Sequence, residues 1–258
     1  MTEQLWMGLT NAQKSGHAAI LVTITDTGGS TPRLSGAQLL ITKDTQIGTV
    51  GGGAFEYAVI QKAHDILQES SPSIINWYQA HLVHELGMCC GGKMTAMLHY
   101  YPATPKLWIF GAGHVGTALA NLCSTLELKL IIVDEREEWL HSGKLPIHAE
   151  MILEDPETLV QENGPMPDDL VVITTHDHGL DERLISLLAP RNIRYLGMIG
   201  SAGKWGRFKK RLKERGLTDE EMYSVRTPIG LSIGAQTPAE LAVSIAAELI
   251  QVLRRANE

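Results

Sequence analysis

Cysteine is scarce in this chain of 258 residues: Cys89 and Cys90 are adjacent and Cys123 stands apart. An odd count with two neighbours is a poor disulfide framework. Basic residues fall short of acidic ones, 22 against 29, for a formal charge of −7. A general nucleic-acid binder leans basic, so nucleic acid is not expected as a partner. No apolar run approaches the ~18–20 residues of a membrane span. The opening MTEQLWMGLTNAQKSGHAAI has no basic leader before an apolar block, so a secretory signal is not expected. Free thiols without such a signal point to a reducing cytoplasm. No segment repeats at a 20–50-residue period, which excludes a solenoid.

What is present suits a globular protein: 44% apolar and 20% charged residues. At ~150 residues per domain the length suggests one large domain or two modest ones. A boundary is expected at Tyr101-Pro102-Ala103-Thr104-Pro105, because two prolines in four residues interrupt helix and central strand alike. This gives an N-terminal domain over 1–101, a linker over 102–105 and a C-terminal domain over 106–258.

The N-terminal part reads as a smaller mixed α+β domain. Strands are predicted at Ala18–Thr25, Ala37–Thr42, Ile74–Gln79 and Lys93–Tyr101. The stretch from Asp26 to Arg33 reads as a turn. Helical spacing runs through Phe55, Val59, Ala63, Ile66 and Leu67. The C-terminal part alternates strands at Leu107–Phe110, Lys129–Val133, Leu170–Thr175 and Arg194–Ile199 with helices such as Val115–Leu126. That alternation predicts an α/β, Rossmann-like parallel sheet with helices on both faces. Thr237-Pro238-Ala239-Glu240 is a capping box that opens a last helix running close to Arg254.

Five motifs carry chemistry. Gly111-Ala112-Gly113-His114-Val115-Gly116 stands between a strand and a helix, as a dinucleotide fingerprint requires. Asp134 ends the next strand, where a carboxylate accepts a ribose hydroxyl. The bland reading is a Rossmann layer with an altered cleft. Gly51-Gly52-Gly53 opens a helix and leaves its amides accessible to a phosphate or flat ring. Glu56, in the first turn, is placed either to accept from a heterocycle or merely to complement the helix dipole. Cys89-Cys90-Gly91-Gly92 lacks the spacing of a zinc chelate, yet accessible thiols suit a soft metal or sulfur.

In Thr175-His176-Asp177-His178, an extended backbone would put His176 and His178 on one side. A metal pair without a third ligand is less expected than hydrogen bonding or helix capping. His81 and His84 read as surface residues. Gly200-Ser201 followed by Lys204 is a further anion cradle without the Walker ending. The later lysines and arginines to Arg215 read as a solvated helix face.

These motifs together resemble the XdhC/CoxI family of xanthine dehydrogenase accessory proteins. The resemblance adds Gly29-Ser30-Thr31-Pro32-Arg33 and Gly48-Thr49-Val50 to the turns above. It also rests on Leu86-Gly87-Met88 and Asp134-Glu135-Arg136-Glu137-Glu138-Trp139. It continues through Gly179-Leu180-Asp181, Gly197-Met198-Ile199, Arg207-Phe208, Pro228-Ile229-Gly230-Leu231 and Ala239–Ile250. The adjacent cysteines point to the XdhC branch; Met88 stands where a polar residue such as Gln is expected.

The resemblance implies a chaperone without catalytic residues, not an enzyme. It would bind the molybdenum cofactor (molybdopterin) while sulfur from a cysteine desulfurase replaces an oxo ligand. It would then deliver the cofactor to xanthine dehydrogenase or a related molybdenum hydroxylase. Arg33, Gly51–Gly53, Glu56, Cys89–Gly92, Gly111, Gly113, His114, Gly116, Asp134, His176, His178, Ser201 and Lys204 are its cofactor-binding candidates. Cys89 and Cys90 would face molybdenum or the incoming sulfur. A homodimer with the cleft between domains is expected. The competing readings are an NAD(P)-dependent oxidoreductase, which lacks a Tyr-x-x-x-Lys pair, and a dinucleotide-sensing regulator.

Overall fold

The computed structural model describes residues 3–69 and 72–255. The chain forms two compact units, Met1–Thr104 and Pro105–Glu258.

The first unit contains α1 (Glu3–Lys14), β1 (Ala19–Gly28), β2 (Gln38–Thr42), β3 (Gln46–Gly48), α2 (Gly53–Gln68), β4 (Ile75–His81) and β5 (Lys93–Tyr101). Its five strands form one antiparallel sheet in the order β3-β2-β1-β5-β4. Alternating side chains serve opposite faces. Ile20, Val22, Ile24, Leu39 and Ile41 face one side, where Phe55, Val59, Ala63 and Ile66 of α2 cover them. The predicted helical stripe is thus the buried face, with Leu67 at its edge. Ala19, Leu21 and Leu40 face the other side and pack against Leu5, Leu9 and Ala12 of α1.

The turn expected from Asp26 begins later. After a bulge between Ile24 and Asp26, residues Asp26–Gly28 still pair with Thr95–Lys93. Ladder bonds use backbone groups, so polar side chains continue the strand at its exposed end.

The second unit contains β6 (Lys106–Phe110), α3 (His114–Cys123), β7 (Lys129–Asp134), α4 (Glu137–Leu140), β8 (Glu150–Leu153) and α5 (Pro156–Asn163). It continues with β9 (Leu170–Ile173), α6 (His178–Leu188), β10 (Tyr195–Met198), α7 (Ala202–Glu214), α8 (Asp219–Tyr223), β11 (Val225–Arg226) and α9 (Pro238–Arg255). Its six strands are all parallel, in the order β11-β10-β9-β6-β7-β8. This is the Rossmann order, with its switch point between β6 and β9.

Helices cover both faces. Trp108, Phe110, Val171 and Ile173 point to the side of α5, α6 and α7. Leu107, Ile109, Leu170 and Val172 point to the side of α3 and α9. Helix α3 ends at Cys123, three residues earlier than expected, and β9 stops at Ile173 rather than Thr175. Among the described residues no helix is long and apolar enough to cross a membrane.

Candidate functional site

The motifs gather into two clusters, one in each unit. In the first unit, three loops meet at one end of the antiparallel sheet. The Gly29–Arg33 turn follows β1, the Gly51–Gly53 turn enters α2, and the Met88–Gly92 loop leads into β5. Gly92 donates its amide to Ser30 O at 3.0 Å. A Cβ on Gly92 would lie 2.5 Å from both Gly28 O and Ser30 O, so only glycine lets these loops touch. A Cβ on Gly53 would meet Met88 Cε at 3.2 Å, which joins the second and third loops.

Gly51, Gly52 and Gly53 have φ of 128°, 71° and 65°. Three successive positive values are costly for any residue with a Cβ. The loop amides that the sequence offers to a ligand turn inward instead. Glu56 Oε2 accepts from Val50 N at 2.8 Å, Gly52 N at 3.1 Å and the Thr49 hydroxyl. Gly51 N donates to Thr49 Oγ1 at 3.1 Å. Burial opposes ionisation of Glu56, but the Thr49 hydroxyl and the amides of Val50, Gly52 and Gly51 outweigh it and hold the carboxyl below its ordinary value. Glu56 thus fastens the turn, a role that neither sequence reading gives it.

Cys89 is exposed at the tip of its loop, and Cys90 is half-buried against the core of the unit. Burial pushes the Cys123 thiol up to about 12, leaving it inert. Beside the glycine turns lies a cavity of about 430 Å³ lined by Arg33, Gln38, Gly48 and Thr49 among others. His81, the last residue of β4, and His84, in the turn that follows, are exposed, as expected, with rings 6.4 Å apart.

The second cluster sits at the switch point. Gly111 has φ 107°, and a Cβ on Gly116 would stand 1.9 Å from Gly111 O. These two glycines close the strand-to-helix turn. A Cβ on Gly113 would enter open space, and no side chain caps α3 there. The first amides of α3 thus have neither an intrahelical partner nor a side-chain cap.

Asp134, placed by the sequence at a ribose, is already occupied. Oδ2 accepts from Ala112 N and Arg136 Nη2, both at 2.7 Å. Oδ1 accepts from Arg136 N at 3.0 Å and Arg136 Nε at 2.8 Å. A carboxylate has about four acceptor positions, and all are filled. Burial pushes the Asp134 carboxyl up, but the Arg136 side chain and the Ala112 and Arg136 amides pull it below its ordinary value. Arg136 also lies over Trp139, which His114 meets edge-on. The recess between Asp134, Gly111 and His176 holds about 10 Å³, room for about one water.

The two histidines do not share a strand side. His178 is the first residue of α6, and Asp177 caps that helix through Gly179 N at 2.7 Å. Among the described residues, no group of three or more His, Cys, Asp and Glu forms a metal-binding cluster. Ser201 caps α7 by accepting from Lys204 N at 3.2 Å. Lys204 departs from an anion cradle: its ammonium is buried and donates to Asp181 Oδ2 at 2.6 Å and Ile199 O at 3.1 Å. Thr175 donates to the other oxygen of Asp181 at 2.6 Å. Sequence reasoning does not single out Asp181 as a partner, although Leu180-Asp181 directly follows the histidine motif. A second cavity of about 430 Å³, between Arg194 and Arg226 at the starting edge of the parallel strands, contains none of the motif residues.

The family model of the XdhC Rossmann domain matches residues 107–249, and that of the XdhC and CoxI family matches residues 12–77. The chain belongs to the XdhC family. This XdhC-family chain is 34% identical over 243 residues to the uncharacterized protein YqeB of Escherichia coli K12, covering 92% of this chain and 44% of that protein. It is 36% identical over 151 residues to a probable xanthine dehydrogenase subunit from Bacillus subtilis, covering 58% of this chain and 44% of that protein. It thus spans less than half the length of these two relatives. It is 25% identical to the molybdenum cofactor insertion chaperone PaoD of Escherichia coli K12, covering 93% of this chain and 85% of PaoD. A crystal structure of a xanthine dehydrogenase from Bacillus halodurans shares the fold, with TM-score 0.55 and 23% identity over 98% of this chain and 96% of that one.

Proposed function

We propose that this XdhC-family chain is a non-catalytic carrier of the molybdenum cofactor that delivers it to xanthine dehydrogenase or a related molybdenum hydroxylase. The observation that carries the reading is the meeting of three motif loops, one of which carries an exposed Cys89 and a half-buried Cys90. Similarity to PaoD over most of both chains supports the same cargo. Soft thiols suit a dithiolene-bound metal or the sulfur destined for it. Loops that touch one another through Gly92 and Met88 hold the segment that carries these thiols in place.

A cysteine desulfurase supplies the sulfur, and the chain works as a homodimer. The test is transfer: protein purified with cofactor is mixed with a cofactor-free molybdenum hydroxylase. Hydroxylase activity is expected to rise with the amount of loaded chaperone and to fall at least tenfold with Cys89→Ser/Cys90→Ser. Equal activation by unloaded protein would overturn the proposal.

A further inference from the structure

We infer that the cavity beside Arg33 is the pterin–phosphate subsite of the cargo, with the Arg33 guanidinium as the phosphate clamp. The inference rests on the carrier reading and assigns to its cargo a place that the thiols do not define. The cavity of about 430 Å³ falls within the range of small-ligand sites. Leu5 and Ala37 give it apolar walls; Arg33, Gly36, Gln38, Gly48 and Thr49 supply the others.

Among the described residues, no carboxylate lines this cavity, and the Arg33 side chain makes no hydrogen bond or ion pair. In a chain of net charge −7, a cationic recess free of acidic side chains selects an anion. The planar fork of arginine matches two phosphate oxygens. The Glu56 carboxylate behind Thr49 is already held by three donors.

The clamp is positioned by the motif loops. Thr31 Oγ1 donates to Arg33 O at 3.0 Å and closes the turn that carries it. The stem of Arg33 lies against Gly51, where a Cβ would stand 3.2 Å from Arg33 Cγ and 2.9 Å from Pro32 Cγ. On the facing wall, Gln38 donates its amide to Thr23 Oγ1 at 3.2 Å. Its carbonyl oxygen stays free to accept from a ring amino group. Gly36 leaves open space where a side chain would stand, so a flat ring can approach its backbone. The loop that carries the thiols touches the same glycine turn, through Gly53 and Met88.

The probes are the fluorescent oxidised pterin obtained from the cofactor with acid and iodine, which keeps its phosphate, and the same pterin after phosphatase treatment. Both lack the metal, so the cysteines do not mask the result. Wild-type protein is expected to bind the phosphorylated pterin at least tenfold more tightly than the dephosphorylated one. Arg33→Ala should abolish that preference and Arg33→Lys should restore part of it, with circular dichroism unchanged. Equal binding of both pterins by wild-type protein overturns the subsite, and so does an undiminished preference in Arg33→Ala. Wild-type protein that holds cofactor yet binds both pterins alike refutes only the subsite; wild-type protein that holds no cofactor refutes the carrier reading as well.

Discussion

The carboxylate of Asp181, wholly buried, meets the ammonium of Lys204 at 2.6 Å and ties α6 to α7 at the edge of the parallel sheet. Removing one partner strands a buried charge, which costs about 3–5 kcal/mol. Lys204→Ala and Asp181→Ala are each expected to lower the unfolding free energy by that order in urea titrations. Loss below about 1 kcal/mol would show that the pair is not what joins these helices.

Glu56 makes the first unit sensitive to acid. Its pKa is lowered in the folded chain from the ordinary 4.5. Its stabilisation is therefore fully present above that value and is lost as pH falls through the lower folded value. Glu56→Gln should be less stable than wild type at pH 7 by about 1–2 kcal/mol, because the amide accepts fewer bonds. The two stability curves should converge toward pH 3. Parallel curves from pH 3 to 7 would contradict the assignment.

Two glycines of one motif should behave oppositely. Gly116→Ala places a Cβ 1.9 Å from Gly111 O and cannot be absorbed by a flexible neighbour. It should cost more than about 2 kcal/mol. Gly113→Ala enters open space and should cost no more than about 1 kcal/mol at this helix start. Thermal unfolding of the two variants distinguishes the turn-forming glycine from the one that keeps the helix end open.

The three thiols should separate by exposure. A maleimide or disulfide reagent is expected to modify Cys89 first, Cys90 more slowly, and Cys123 only after unfolding. Mass spectrometry of timed samples reads the order. Early modification of Cys123 would contradict its buried position.

Asp134 and Arg136 distinguish structure from cargo binding. Arg136→Ala leaves Asp134 with only the Ala112 amide and the backbone amide of residue 136. Stability should fall by about 1–3 kcal/mol while the cofactor carried per folded chain stays unchanged. With all four acceptor positions of Asp134 filled, NAD titration of wild-type protein should show no saturable binding in the micromolar range. Micromolar binding would mean that the Asp134–Arg136 pair opens for a nucleotide.

The sheets and main helices are legible in the sequence because their signals are periodic. Phe55, Val59, Ala63 and Ile66 recur on one helical face, and the β6, β7, β9 and β10 cores are unbroken apolar runs. Helix α1 escapes notice although Leu5, Leu9 and Ala12 have helical spacing; it lies in a polar opening segment. Strand β3 is three residues long, too short to show a period. The site is harder to read. Glycine motifs state that backbones approach, but not whether the amides face a ligand or a side chain such as Glu56. Lys204 reads as part of an anion cradle, and only the fold brings Asp181 beside it.

The most direct measurement is pterin and molybdenum content of protein purified from a host that makes the molybdenum cofactor and from one that cannot. Acid–iodine oxidation followed by pterin fluorescence, with elemental analysis for molybdenum, reads both parts of the cargo. The account predicts pterin and molybdenum in the first preparation alone, above a control protein, and their loss in Cys89→Ser/Cys90→Ser. Protein that stays free of pterin even after incubation with freshly released cofactor would contradict it.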